Sequence, residues 1–154
     1  MRAIQSSILI AVLLLSAIAS ADVQVQGAVE YGIFTSTAKE FAPGERLLTR
    51  SDQVIEPTHL IPAKLGSKFG LRYTLTGKQA GDASLTLLYL TPGVITPDGL
   101  RHDKFVVQQP MVQGAGADLM AFEFSETYEV VPGEWRFMVF QGDRLLAEQR
   151  FEVR

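Results

Sequence analysis

The sequence predicts an all-β fold, a single antiparallel β-sandwich of about seven or eight strands. Apolar residues alternate with polar ones at a period of two along six stretches, the mark of half-buried strands. Gly- and Pro-containing breaker clusters separate those stretches. Helical periodicity is absent beyond the first two dozen residues, where no stretch joins a cap to an i, i+3, i+4 apolar pattern. Many short strands with turn signals between them suit a sandwich, with a small closed β-barrel as the alternative.

The chain has 154 residues, and residues 1–21 read as an export leader. Arg2 supplies a basic start, Ile8 to Leu15 an apolar core, and Ala19-Ser20-Ala21 a small-x-small cleavage site that leaves Asp22 as the new terminus. Ala17-Ile18-Ala19 is a second cut. The apolar core is well short of the ~20 residues of a bilayer span and no basic stop follows it, so stable membrane insertion after cleavage is not expected. A lone Arg favours the general secretory route over twin-arginine export. Residues 22–154 then form one domain, large enough to bury roughly two thirds of its unfolded surface and so to do without disulfides.

The strands follow in order. Val23, Val25, Val29, Tyr31 and Ile33 occupy odd positions of the first, with Gln24, Gln26 and Glu30 between them. Arg50 to Leu60 is a weaker stretch. Phe69, Leu71, Tyr73 and Leu75 form the next face, and Ser84 to Leu90 places Leu85, Leu87 and Tyr89 on one side. Lys104 to Gln108 is again weak. Met120, Phe122 and Phe124 line one face, Trp135, Phe137 and Val139 another, and Leu145, Ala147, Phe151 and Val153 the last. The breakers are Ala42-Pro43-Gly44, Gly77 to Asp82, Thr91-Pro92-Gly93, Pro97-Asp98-Gly99, Gly114-Ala115-Gly116 and Pro132-Gly133. Tyr128, just before Pro132-Gly133, sits where immunoglobulin-like sandwiches carry a corner tyrosine, which points to that kind of sandwich.

The last hairpin has a choice of register. A three-residue loop Gln141-Gly142-Asp143 sets Val139 against Leu145 and Phe137 against Ala147, and pairs Arg136 with Glu148 and Glu134 with Arg150. A two-residue loop sets Phe137 against Glu148. Opposite charges across strands are favourable and a one-residue slip turns every side chain over. The three-residue loop is therefore expected, with Asp143 in the left-handed region. Met138, Phe140 and Leu146 then face outward, either as a partner surface or beneath the segment Thr35 to Thr49.

Composition excludes several functions. With 14 basic and 17 acidic residues the net charge is −3, wrong for a nucleic-acid binder and unhelpful on anionic lipid. The absence of Cys removes thiolate catalysis, Cys-based zinc sites and lipidation at an N-terminal Cys. The absence of Asn removes N-glycosylation.

No catalytic constellation stands out. His59 and His102 are the only histidines, outside any His-x-x-x-His or His-Glu-x-x-His arrangement. Asp98, His102 and Asp103 read as a solvated loop rather than a metal site. Glu123, Glu126, Glu129 and Glu134 read as solubilising positions rather than the carboxylate pair of a glycosidase or hydrolase. Trp135 reads as core rather than as a sugar platform. No catalytic residue, metal ligand or cofactor is therefore assigned, and the chain is expected not to be an enzyme.

One block is more specific. Thr58 to Tyr73 reads Thr-His-Leu-Ile-Pro-Ala-Lys-Leu-Gly-Ser-Lys-Phe-Gly-Leu-Arg-Tyr, with Ile61-Pro62-Ala63, Gly66 and Phe69-Gly70 at its heart. With Tyr31-Gly32-Ile33 and the ending Pro132-Gly133-Glu134-Trp135 into Leu146-Ala147-Glu148-Gln149-x-Phe151, it resembles a bacterial family labelled domain of unknown function 3859. The resemblance implies a small exported, periplasmic domain and brings no catalytic residues. From the residues themselves, Pro62 should end a strand, Gly66 and Gly70 should allow a turn and a close backbone approach, and Phe69 should open a core strand. Lys64, Ser67 and Lys68 are the alternative, a ligand-binding loop. The expectation is a periplasmic, or secreted, interaction module with a partner protein or small ligand, using an exposed strand edge or the Met138/Phe140/Leu146 group. A structural or accessory envelope domain is the other non-enzymatic reading.

Overall fold

A computed structural model describes residues 22–35, 53–114 and 116–154. The leader, the Ala42-Pro43-Gly44 breaker, Ala115 and the body of the Thr35 to Thr49 cover lie outside the described residues. Nine strands are found among the described residues: β1 (Gln24–Thr35), β2 (Val54–Glu56), β3 (Leu60–Ile61), β4 (Lys68–Thr76), β5 (Leu85–Ile95), β6 (Arg101–Gln109), β7 (Asp118–Glu123), β8 (Gly133–Gln141) and β9 (Arg144–Val153). They form a four-stranded sheet in the order β2-β1-β4-β7 and a five-stranded sheet in the order β3-β9-β8-β5-β6. Each has two ends, so the structure is the sandwich and not the barrel.

The alternation holds because the two sheets share one apolar interior. Phe69, Leu71, Tyr73 and Leu75 of β4 face Leu85, Leu87 and Tyr89 of β5 and Trp135, Phe137 and Val139 of β8 across it. Phe69 is its hub, with ring centroids 5.1 Å from Phe137, 5.1 Å from Phe151, 5.4 Å from Phe124 and 6.0 Å from Trp135. The Phe137 contact is stacked and the others tilted or edge-on, and such ring pairs add to the burial of large rings. The Trp135 indole N–H donates to the Val131 carbonyl at 2.9 Å, so the corner before β8 is tied by the tryptophan. Tyr128, the expected corner residue, lies on the 3-10 turn Thr127–Glu129 and packs against the core.

Three departures from the sequence reading have physical causes. The weak Arg50 to Leu60 stretch yields two short strands, and β3 pairs in parallel with β9 (Leu60 opposite Glu152) rather than antiparallel. Here the chain leaves the first sheet for the second, and Pro62 stops the new strand after Ile61. Thr91-Pro92-Gly93 is not a turn but an irregularity inside β5, where Leu90 faces Lys104 and Val94 faces His102. Thr91 Oγ1 donates to the His102 carbonyl at 2.7 Å and accepts the Gly93 N–H at 3.1 Å, so a side chain takes over ladder bonds and the strand continues to Ile95. The chain reverses instead at Pro97-Asp98-Gly99.

The third departure is the last hairpin. Gln141 pairs with Arg144 around a two-residue turn, which overturns the three-residue loop. Gly142 takes φ 59° and, among the described residues, no non-glycine residue has positive φ, so Asp143 is not left-handed; glycine first and an ordinary residue second suits a type II′ turn. Leu146 is then an extra residue in β9, because Phe140 faces Leu145 while Val139 faces Ala147. The bulge reverses the slip that the shorter turn introduces. Trp135 faces Phe151 and Phe137 faces Gln149, instead of Arg150 and Glu148. Inward residues stay inward although none of the predicted partners stand directly opposite each other. Arg136 still reaches Glu148, diagonally, at 2.5 Å, whereas the cross-strand neighbour of Glu134 is Glu152.

Candidate interaction surface

The signature block is a structural bridge between the sheets. Ile61 is 1% exposed and pairs with Val153. The Ala63 N–H donates to the Arg154 carbonyl at 3.1 Å, the Gly66 N–H to that of Phe124 at 2.8 Å, and the Phe124 N–H to that of Ser67 at 3.0 Å. The block thus ties the end of β9 to the end of β7 before Phe69 enters the core. Gly66 has φ 83°, and a Cβ on Gly70 would stand 1.9 Å from the Met120 carbonyl oxygen, so both glycines are required by geometry. The three residues of the ligand-loop alternative point to separate tasks. Ser67 Oγ donates to the Pro62 carbonyl at 2.8 Å and Lys64 is exposed. Lys68 is buried, donates to Gln53 Oε1 at 3.0 Å and sits 5.7 Å from the Phe34 ring centroid. Burial holds its amine below the ordinary lysine range, against the opposing pull of Glu123.

The polar candidates are likewise spent on local structure. His59 precedes β3 and His102 lies on β6, at opposite edges of the five-stranded sheet. Asp98 accepts the Thr96 hydroxyl at 2.5 Å and the Leu100 N–H at 3.2 Å, which locks the β5–β6 turn. His102 Nε2 lies 3.2 Å from the same hydroxyl, with its ring stacked on Phe105. Asp103 pairs with Arg101 at 2.8 Å. Glu129 accepts the Ser125 and Glu126 N–H groups at 2.8 and 2.9 Å, closing the 3-10 turn. Among the described residues no three His, Asp or Glu side chains gather as a metal site would need.

The outward group is partly redrawn. Met138 and Phe140 face outward and are half-buried. Leu146 does not join them: as the bulge residue it packs against the core and lines a shallow groove with Val23 and Val25. Leu145, 46% exposed, stands opposite Phe140 in its place. The surface is also wider than two strands. Val106, Leu88, Met138 and Glu148 form one cross-strand row, and Gln108, Thr86, Phe140 and Leu145 the next. Val106 is 52% exposed. The missed members had a signal, since Leu-Thr-Leu-Leu-Tyr-Leu at 85–90 is apolar on both faces. Thr35, the described end of the supposed Thr35 to Thr49 cover, pairs with Val54 in the other sheet.

Residues 22–153 match the family described as Domain of unknown function (DUF3859). The chain belongs to that family. The DUF3859 domain is also similar to a solved structure, an immunoglobulin-like protein (PA1606) from Pseudomonas aeruginosa. Identity is 59% and the TM-score 0.77, with 88% of this chain and 99% of that one covered. The sandwich is therefore immunoglobulin-like. A second structure, the Pseudomonas fluorescens alkylpurine DNA glycosylase AlkC bound to DNA containing an abasic site analogue, covers 62% of this chain and 28% of its own at 20% identity. Its TM-score of 0.40 carries no argument about fold or activity. No curated protein matches.

Proposed function

We propose that this DUF3859 domain is an exported, non-enzymatic module of the bacterial envelope that binds a partner protein through the outer face of its five-stranded sheet. The observation that carries the reading is the contiguous outward group Leu88, Val106, Met138, Phe140 and Leu145. Its two rows end in polar or charged residues, Glu148 beyond Met138 and Gln108 beside Thr86. An apolar centre with a polar rim is how transient interfaces are built. Export is supported by the leader pattern and by the start of the family match at residue 22, the first residue after Ala19-Ser20-Ala21. Asp22 and Val23 are also held by Arg144: its guanidinium is 3.1 Å from the Asp22 carboxylate and donates to the Val23 carbonyl. A first strand anchored this close to Ala21 supports a cut before Asp22.

Two experiments test the reading. N-terminal sequencing of the protein recovered from the periplasmic fraction should return Asp22; retention in the cytoplasm with the leader attached would refute export. A pull-down from envelope extract should lose its specific partner when Met138→Asp and Phe140→Asp are combined. A partner set unchanged in the double variant would remove the outer face from the mechanism.

A further inference from the structure

Among the described residues, strand β6 is a free edge of the five-stranded sheet and is not blunted in the usual ways. Edge strands avoid pairing with other chains by being short, charged, bulged or proline-bearing. Two other edges here are short: β2 has three residues and β3 has two. β6 has nine, and among the described residues it pairs with β5 alone. The extra residues of the β5–β6 pairing lie in β5, between Leu90 and Val94, so β6 itself carries no bulge. Its charges are confined to Arg101, Asp103 and Lys104, and Arg101 is turned back onto Asp103 and the Pro92 carbonyl. Phe105 to Gln109 carries neither charge nor proline. Val106 is 52% and Val107 47% exposed, on opposite faces of the strand.

We propose that this edge pairs with the same edge of a second copy of the chain, antiparallel, about a two-fold axis through Val106. An axis perpendicular to a continuous sheet keeps even-numbered residues opposite even-numbered ones, so the registers are few. Centring on Asp103 or Lys104 sets like charges face to face, which is unfavourable. Centring on Phe105 sets Lys104 against Val106 and Asp103 against Val107. Centring on Val106 sorts like with like: Phe105 meets Val107, Lys104 meets Gln108, Asp103 meets Gln109, and Val106 meets itself. The contact is isologous, so it closes at a dimer and consumes the edge. It also joins the Met138-Leu88-Val106 rows of both copies into one apolar strip. The dimer holds or fails whether or not the protein is exported.

Analytical ultracentrifugation of the purified protein over a concentration series should show a monomer–dimer equilibrium. Val106→Lys places a charge against its own copy and should weaken the dimer at least about tenfold, with unchanged circular dichroism because position 106 is half-exposed in the monomer. Leu65→Lys, at an exposed site outside the sheet, should leave the dimer intact. The chain lacks cysteine, so single thiols report the register: oxidised Val106→Cys should cross-link to itself, and Gln108→Cys, facing Lys104, should not. A wild type that stays monomeric throughout, a dimer indifferent to Val106→Lys, or equal cross-linking at 106 and 108 would overturn the proposal. So would protection of the 105–109 amides appearing only with a different protein's strand.

Discussion

The two faces of β8 behave as different materials. Trp135, Phe137 and Val139 point inward and are fully buried. Arg136, Met138 and Phe140 point outward from the same strand and are half-covered. The inward residues are determined by their neighbours, since interiors are close-packed and a lost ring leaves a cavity. The outward residues have few neighbours to satisfy, so their apolar character is not required by the fold and is free to serve recognition. The same contrast appears in the charges. Lys78 and Asp118 meet at 2.7 Å with side chains only 7% and 8% exposed, whereas Arg72 and Glu30 meet at 2.6 Å with 20% and 54% exposed.

The largest effect expected from breaking this contrast is on the inward side. Phe69→Ala removes the ring that touches four other aromatics and should cost about 3–5 kcal/mol in urea unfolding. A loss below about 1 kcal/mol would mean that the interior is not organised around it. Asp118→Ala should come next, at about 3 kcal/mol, because it leaves the buried Lys78 ammonium without its counter-charge, with only the Val112 carbonyl at 3.3 Å to accept from it. Combining it with Lys78→Met should recover part of the loss, and a double variant no more stable than the single would show that the pair is not the unit.

Outward changes should be smaller. Met138→Asp and Phe140→Asp should each cost less than about 1 kcal/mol while abolishing partner capture; a collapse of the fold would make the outer face structural. The smallest effect concerns Glu30. The Arg72 guanidinium holds its carboxyl below the ordinary glutamate range. A carboxyl depressed in the folded state adds stability above its unfolded pKa, and that stability disappears as pH falls through the folded pKa. Glu30→Gln should therefore lower the urea midpoint slightly near neutral pH and not at all once both states are protonated, well below about pH 4. A gap that persists in acid would show that the difference is not ionic.

Much of the fold was legible because a strand's side-chain period is two and one face is dry. Phe69-Gly-Leu71-Arg-Tyr73-Thr-Leu75 and Trp135-Arg-Phe137-Met-Val139 declare their faces residue by residue. The first strand survives an irregularity for the same reason: Gln26 faces Thr74 and Glu30 faces Arg72, and two extra residues leave the parity unchanged. The candidate surface was only half legible. Met138 and Phe140 followed from parity, but Leu145 and Leu146 exchanged roles because a bulge is decided by the partner strand. The continuity of Val106, Leu88 and Met138 depends on strand order, which local pattern does not contain.

The sequence by itself determined that the described residues form strands, which side chains turn inward, and where Pro62, Gly66 and Gly70 are needed. These are set by steric limits of the backbone and by the hydrophobic effect acting one residue at a time. Tertiary structure alone decided the sheet order, the parallel β3–β9 contact, the compensating bulge at Leu146 and the unblunted edge at β6. Each depends on pairings between segments far apart in the chain, and such pairings are selected by the total fit of two faces rather than by any stretch of residues.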